Sequence, residues 1–325
     1  MARGDALGGD GLAECVINIS EGRDPEVIAA VAAAGGACLL DVHSDAEHHR
    51  SVLTLGGPLH EVSSAARRVA AAAVGAIDLT EHRGIHPRLG AVDVVPFVQL
   101  DQADASVAPW EAIIVARDSF ASWAGSELGI PCFLYGPERS LPDIRRHAFS
   151  TLSPDTGPAA PHPTAGASAV GARRVLIAYN VWIAGPDAGG PGTDSDDDPA
   201  HDDPAHVDPA LVDPAHVEVT EVARSLAARL RRPGLRTLGL TVDGGAQVSC
   251  NVVDHRQVTL TEVFDEVVAG SAEFGCSVTK GELVGLLPQV SLSAVDEGRW
   301  VELGLRAEDT IESRIVELGN GTRQD

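Results

Sequence analysis

Apolar and polar residues alternate along 12-LAECVINIS-20, the period-2 signature of a half-buried strand. Helical spacing takes over in 24-DPEVIAAVAAA-34, where Asp24 is placed to cap the helix and Pro25 to open its first turn. Strand patterns return at 37-ACLLDVH-43 and 51-SVLTLGG-57, followed by a long Ala-rich helix over about 58–77 and a strand at 92-VDVVPFVQ-99. This β-α-β-β-α-β order is the ferredoxin-like split βαβ arrangement. A helix near 110–128 and strands at 131-PCFLYG-136 and 174-RVLIAYNVWI-183 extend the first half. In the second half a helix over 217–232, strands at 235-LRTLGLTV-242 and 247-QVSCNVV-253, a helix at about 259–273 and the run 281-GELVGLLPQ-289 partly repeat the pattern. The pattern predicts an α+β protein of two ferredoxin-like α/β subdomains. Each would have an antiparallel sheet with helices on its outer face, and the two sheets would face each other across a groove.

Between the halves lies 198-DPAHDDPAHVDPALVDPAHV-217, four pentapeptides of the form D-P-A-[HL]-[DV]. Proline in every unit removes a backbone donor and disfavours helix in the residue before it. The repeated aspartates repel one another. Together with 186-PDAGGPGTDSDDD-198 this predicts an acidic, extended linker over 186–217 that separates an N-terminal subdomain (1–185) from a C-terminal one (218–325). His201, His206 and His216 fall in this tract and read as part of its solvated low complexity rather than as metal ligands.

The chain has 325 residues and a formal net charge of -23, which speaks against nucleic acid or anionic membrane as partners. A local cluster of arginines therefore stands against its background. Cys15, Cys38, Cys132, Cys250 and Cys276 are scattered through apolar runs without a CxxC pair, as expected of reduced, buried thiols. The opening MARGDALGGDG has no apolar run, and no stretch approaches the length of a membrane span. These features predict a soluble, cytoplasmic protein.

The densest chemistry sits in 81-EHRGIHPRLGAVDVVPF-97, a loop rich in ionisable groups feeding an apolar strand. On a helix, His82 and His86 at i and i+4 would face one metal ion, but Gly84 and the His86–Pro87 step oppose a regular helix. General acid–base work suits the loop better. Proline stiffens the backbone after His86, and a histidine exchanges protons near neutral pH. Arg83 and Arg88 flank it and can hold carboxylates in bidentate fashion. A histidine that merely satisfies its own loop is the alternative, and local residues alone do not separate the two.

The segment H-R-G-I-H-P-R-L-G-A-V-D-V-V-P-F resembles the signature loop of the formiminotransferase domain, H-K-G-E-H-P-R-M-G-A-L-D-V-x-P-F. Other stretches agree in the same order: 14-ECVINISEGRD-24, 154-PDTGPAAPHPTAGASAVGARRVLIAYN-180, 246-AQVSCN-251 and 282-ELVGLLP-288. The resemblance implies transfer of a formimino group from N-formimino-L-glutamate to tetrahydrofolate, releasing glutamate. It puts the catalytic histidine at His86 and the folate-binding stretch at Gly157, Pro158, Ala159, Ala160, Pro161, His162, Pro163, Thr164, Ala165 and Gly166. Tetrahydrofolate is then a co-substrate, and no metal is implied. Arg50, Arg83, Arg88 and Arg173 are candidates to hold the carboxylates of formiminoglutamate and folate. A homodimer is implied too, with a separate cyclodeaminase acting on the product, since the chain carries no cyclodeaminase stretch.

Three departures from the family pattern bear on the site. The family's D-V-D-A-G-x-x-x-N-R is here 41-DVHSDAEHHR-50, so His43 replaces an acid, with Asp45 placed to compensate, and His49 replaces an asparagine. The cluster His43, Asp45, Glu47, His48 and His49 suggests either a polar wall of the groove or a metal site. The folate stretch lacks aromatic residues, leaving His162 to stack against a pterin. Two other functions use the same residues: a hydrolase of formiminoglutamate or a related amidine, metal-assisted through the 43–49 cluster, and a non-catalytic folate-binding relative. The last would lack the reactive histidine, and His86 is present.

Overall fold

A computed structural model describes residues 11–83, 88–100, 108, 110–185, 214–242 and 245–321. The chain divides into two compact units. The first comprises Met1–Val175, Gly285–Gln289 and Glu308–Asp325, and the second Leu176–Val284 and Val290–Ala307.

The first unit contains β1 (Leu12–Ile19), α1 (Pro25–Ala33), β2 (Leu39–Asp45), β3 (Arg50–Pro58), α2 (Leu59–Ala76), β4 (Val92–Gln99), α3 (Trp110–Glu127), β5 (Cys132–Tyr135), α4 (Leu141–His147) and β6 (Ser168–Arg174). Its six strands form one sheet in the order β2-β3-β1-β4-β6-β5. Alternation along β1 sends Ala13, Cys15, Ile17 and Ile19 to one face, where they pack with Val62, Ala65, Val69 and Phe120 from α2 and α3. Alanines at 65, 66, 70 and 73 make the buried stripe of α2 shallow, so the helix lies close to the sheet. Asp24 caps α1 as its position suggests, its carboxylate accepting from the Glu26 and Val27 amides.

The α+β architecture holds, but the first sheet is mixed rather than antiparallel throughout. Strand β6 runs parallel to β4 and to β5. Parallel neighbours require crossover connections, which α3 and α4 supply. α3 packs on the face of α1 and α2. α4 crosses the other face, with Ile144 buried against Phe133, Tyr135 and Ala169. The strand expected over 174–183 is β7 (Ile177–Ala184), which joins the second sheet, while β6 before it, ending at Arg174, was not expected. Strand β2 begins later than expected, because Gly36–Cys38 form a 3-10 turn that Gly36 opens at φ 59°.

The second unit adds α5 (Pro214–Leu230), β8 (Leu235–Val242), β9 (Gly245–Val252), α6 (Leu260–Ala272) and β10 (Ser277–Val284) to β7; α7 (Gln289–Ser293) follows, and α8 (Ile311–Gly321) belongs to the first unit. Its sheet, β10-β7-β9-β8, is antiparallel throughout. Helices α5 and α6 cover one face. A Cβ on Gly239 would lie 2.4 Å from the Arg224 amide nitrogen, so glycine is what lets α5 settle on β8. Thr259 and Glu262 close a reciprocal capping box at the start of α6. Of the linker expected over 186–217, residues 214–217 form the start of α5, three residues earlier than the pattern suggests, and 186–213 lie outside the described residues, as do His201 and His206. All five cysteines are buried, and none of them forms a disulfide. Among the described residues no helix is long and apolar enough to cross a membrane.

Candidate functional site

Strand register in the first unit gathers a second face, opposite α1 and α2, with charge at both ends. His43 lies across from Val52, Asp45 across from Arg50, and Asn18 across from Val52 and Val94. Towards the other end Glu14 faces Val98, which in turn faces Arg173. From Ser20 beside Arg50 to Glu14 is six residues of extended chain, about 20 Å at roughly 3.3 Å each. Arg173 is thus not brought to Arg50. Its neighbours are Glu14 and the Tyr135 hydroxyl, and the Tyr135 ring lies flat over Gly171. Glu14 is 3% exposed, and burial pushes its carboxyl up to about 7 against the pull of Arg173, with Glu312 adding to the rise.

The first end holds the histidines. His49 takes a left-handed backbone, φ 50°, in the turn between β2 and β3. Its ring stacks on His82 with centroids 3.9 Å apart. His49 Nδ1 accepts the Gly22 amide hydrogen (3.2 Å) and lies 3.4 Å from Glu21 Oε1. Burial lowers the His49 pKa, Glu21 opposes that, and Arg23 and Arg88 reinforce it. We take the ring as neutral, because the Nδ1 lone pair is already occupied by Gly22 and because Glu21 is engaged by the amides of Arg23 and Asp24. Arg88 Nη1 donates to His82 Nε2 (2.9 Å). A guanidinium has no acceptor, so this bond leaves the ring hydrogen on His82 Nδ1, which is buried without a partner. The His49 carbonyl, 3.2 Å from the same Nε2, competes for the opposite tautomer.

The described chain on either side of residues 84–87 is pinned. On entry, Leu79 N donates to Thr164 O (2.8 Å) and His82 N to Leu79 O (3.3 Å). On exit, Leu89 N donates to the Asp93 carboxylate (2.6 Å), and Asp93, 2% exposed, holds both terminal nitrogens of Arg145. Ala91 N donates to Ala165 O and Ala167 N to Leu89 O, tying the exit to the glycine-rich stretch. A Cβ on Gly90 would sit 2.0 Å from Ala167 O, so only glycine permits that approach. His86 itself lies outside the described residues.

The glycine-rich stretch ends in a tight turn in which His162 and Gly166 exchange backbone hydrogen bonds, and Gly166 adopts φ 69°. His162 Nδ1 accepts from Ala165 N (3.0 Å), so that ring nitrogen closes its own turn. Gly157 through Pro161 and Pro163 are exposed. Arg50 lies deep beside Asp93, Asp45 and Arg145; burial lowers its pKa while the two aspartates oppose. Arg83 is exposed and forms no hydrogen bond or ion pair among the described residues.

The 43–49 cluster does not converge on one point. His48 Nδ1 binds Asp45 at 2.6 Å, while His49 turns to His82. Burial pushes the Asp45 carboxyl up, but the hydrogen bonds from His48 outweigh it and hold it at about 2. His43 instead neighbours Asp41, whose pKa burial raises against the charges of His43 and Arg314. Among the described residues no group of three or more such side chains is placed to hold a metal ion. Missing from the sequence reading are Asp93, Arg145, Glu21 and Glu14. Asp93 and Glu14 did carry a signal, each being an acid inside a strand run that is otherwise apolar.

Comparison with known proteins returns two matching family models: the N-terminal subdomain of the formiminotransferase domain over residues 12–173, and the formiminotransferase domain over 215–302. A glutamate formimidoyltransferase of Streptococcus pyogenes is 32% identical over 312 residues, covering 88% of this chain and 92% of the relative. One of Thermoplasma acidophilum is 39% identical over 191 residues, covering 52% of this chain and 61% of the relative. A formimidoyltransferase-cyclodeaminase of Sus scrofa is 32% identical over 302 residues, with 86% of this chain matching 51% of that protein. The chain thus spans about half the length of that fusion.

Proposed function

Because the chain belongs to the formiminotransferase domain family, we infer that it transfers the formimino group from N-formimino-L-glutamate to tetrahydrofolate, giving L-glutamate and 5-formiminotetrahydrofolate. The folate N5 attacks the formimino carbon, forming a C–N bond and a tetrahedral adduct. His86 accepts the N5 proton and returns it to the glutamate nitrogen as the bond from that nitrogen to carbon breaks. Both transfers call for a group that exchanges protons near neutrality. Arg50 and Arg88 are the arginines we assign to the substrate carboxylates, since both lie beside the histidine end of the face. The product then passes to a separate cyclodeaminase.

The observation that carries this reading is the double anchoring of the loop, at Leu89–Asp93 and at Ala91–Ala165, which joins the histidine segment to the glycine-rich stretch assigned to folate. Proximity of that kind is what bimolecular group transfer needs. An assay of glutamate release from formiminoglutamate, with and without tetrahydrofolate and with a chelator, tests it. Release should require tetrahydrofolate and ignore the chelator. Release into water alone would make the protein a hydrolase.

A further inference from the structure

Where α5 passes into β8 the second unit is basic. Residues 222–236 contain five arginines and no acid, in a chain whose acids outnumber lysine and arginine 47 to 24. Three of the five are paired: Arg224 with Glu221 (2.6 Å), Arg229 with Glu273 (2.8 Å) and Arg232 with Glu266 (2.7 Å). Arg231 engages only its Nε, on the Thr237 carbonyl (3.2 Å). Its terminal nitrogens and the whole Arg236 guanidinium have no acidic partner among the described residues. Both side chains are exposed and border one hollow, completed by Arg232, Leu235 and Thr237. Acids are plentiful in this chain, so two guanidinium forks left without one on the same hollow point to an anionic ligand.

The acidic tract 186–213 follows β7 and precedes α5, so both of its ends belong to this same unit. Its sequence holds nine aspartates and neither lysine nor arginine. Register fixes where it is tethered. Leu235 and Ile177 both pair with Val252, whereas Val242 and Ile183 lie at the opposite end of the sheet, beside Gly245 and Ala246. Helix α5 runs back along β8, with the Thr237 hydroxyl bonded to Ala227 O and Thr220 to Thr241. Both tethers therefore sit at the far end, where a Cβ on Gly185 would meet Val219. At roughly 3.3 Å per residue along β8, that end is about 25 Å from Arg236, and a chain needs about eight residues to cover the distance in each direction. The residues then left in the middle of the tract are 194–205, which carry Asp194, Asp196, Asp197, Asp198, Asp202 and Asp203.

We propose that the hollow beside Arg231 and Arg236 is a docking site for the chain's own aspartate-rich stretch 194–203, whose carboxylates the two guanidinium groups hold. The length of the tract and the place of its tethers bring its densest charge to the hollow and leave the sparser flanks to span the unit. A tethered segment is present at an effective concentration on the order of millimolar. A free polyanion must instead approach a chain of net charge -23, which repels it. The tethered aspartates therefore outcompete an external anion of the same chemistry.

The test is binding of a labelled free peptide, 193-TDSDDDPAHDDPA-205, to the full-length protein by fluorescence anisotropy. A variant with the six aspartates of 194–203 changed to asparagine should bind the peptide about tenfold more tightly than the parent, in which the tethered copy competes. Adding Arg236→Gln to that variant should weaken the peptide by about two- to fivefold, the worth of one exposed ion pair. Its melting temperature should not change, since Arg236 gives up no partner among the described residues. Salt at about 1 M, where the screening length is about 3 Å, should abolish binding. Equal affinity of parent and asparagine variant, or indifference to Arg236→Gln, would overturn the docking. Tripolyphosphate is the second probe. Equal binding of it by the parent and the asparagine variant, lost with Arg236→Gln, would give the hollow to an external anion and likewise overturn the proposal.

Discussion

The imidazole rings of His49 and His82 stack 3.9 Å apart at an angle of 31°, with Arg88 donating to the outer nitrogen of His82. The nearby Arg88 guanidinium disfavours a proton on the His49 ring, adding to the larger effect of its burial. Burial, Arg23 and Arg88 together outweigh Glu21 and hold the His49 pKa below its ordinary 6.5.

The sign of the resulting pH dependence follows from that lowering. In the unfolded chain His49 takes up a proton near 6.5, whereas in the folded protein it resists until lower pH. Its contribution to stability is therefore complete above about 6.5 and is lost as pH falls through the folded value. Denaturation midpoints measured from pH 7.5 down to 5 should drop more steeply in the parent than in His49→Asn. The Asp45 contribution, which fails only near pH 4 and below, is common to both proteins and cancels. Equal slopes would mean that His49 titrates as it does in water.

His86→Ala should lower kcat by about 10²- to 10⁴-fold, the usual yield of one positioned acid–base group. The melting temperature should stay within about 2 °C, since the sequence sets His86 between Gly84 and Pro87, where few packing contacts are expected. Full activity in the variant would remove His86 from proton transfer.

Asp93 separates anchoring from chemistry. Its carboxylate holds Arg145 and the Leu89 amide at once from a nearly sealed position. Asp93→Ala leaves a guanidinium and an amide without their acceptor. It should destabilise the protein by about 3 kcal/mol, the lower end of the range for broken buried pairs, because Arg145 keeps some exposure. Adding Arg145→Met should recover part of that stability, since the stranded charge is gone, while turnover stays low because Leu89 remains unanchored. Urea titrations and kcat for the single and double variants supply both readings. Recovery of turnover along with stability would reduce the loop anchor to a packing role.

Much of this was legible in the chain. The period-2 and helical runs locate β1, α1, β3, α2 and β4 to within a residue or two, because each buries one face against a single layer. Strand β6 was not legible: SAVGARR is made largely of small residues, and its place between β4 and β5 depends on crossovers that no local pattern encodes. At the site, proline and glycine spacing marks the histidine loop. The stacking of His49 on His82 was out of reach, since it depends on pairing the β2–β3 turn with a loop more than thirty residues away. The four arginines looked equivalent in sequence, and only strand register separates Arg50 from Arg173.

Glu14 gives the opposite pH dependence to His49. Its ordinary 4.5 is raised to about 7 by burial, which exceeds the pull of Arg173, while Glu312 on α8 adds to the rise. The Cys15 thiol on its own strand and the Tyr135 phenol on β5 are both pushed up by burial and stay neutral here. The folded protein keeps the Glu14 proton where the unfolded chain gives it up. The contribution is therefore complete below about 4.5 and is lost as pH rises towards 7. The interval corresponds to about 3 kcal/mol as an upper order of magnitude. Glu14→Gln carries a permanently neutral side chain of the same shape and should escape that loss. Relative to the parent it should gain stability between pH 5 and pH 8, read from urea midpoints at the two values. A variant that instead loses ground at pH 8 would show that Glu14 is ionised there and paired with Arg173.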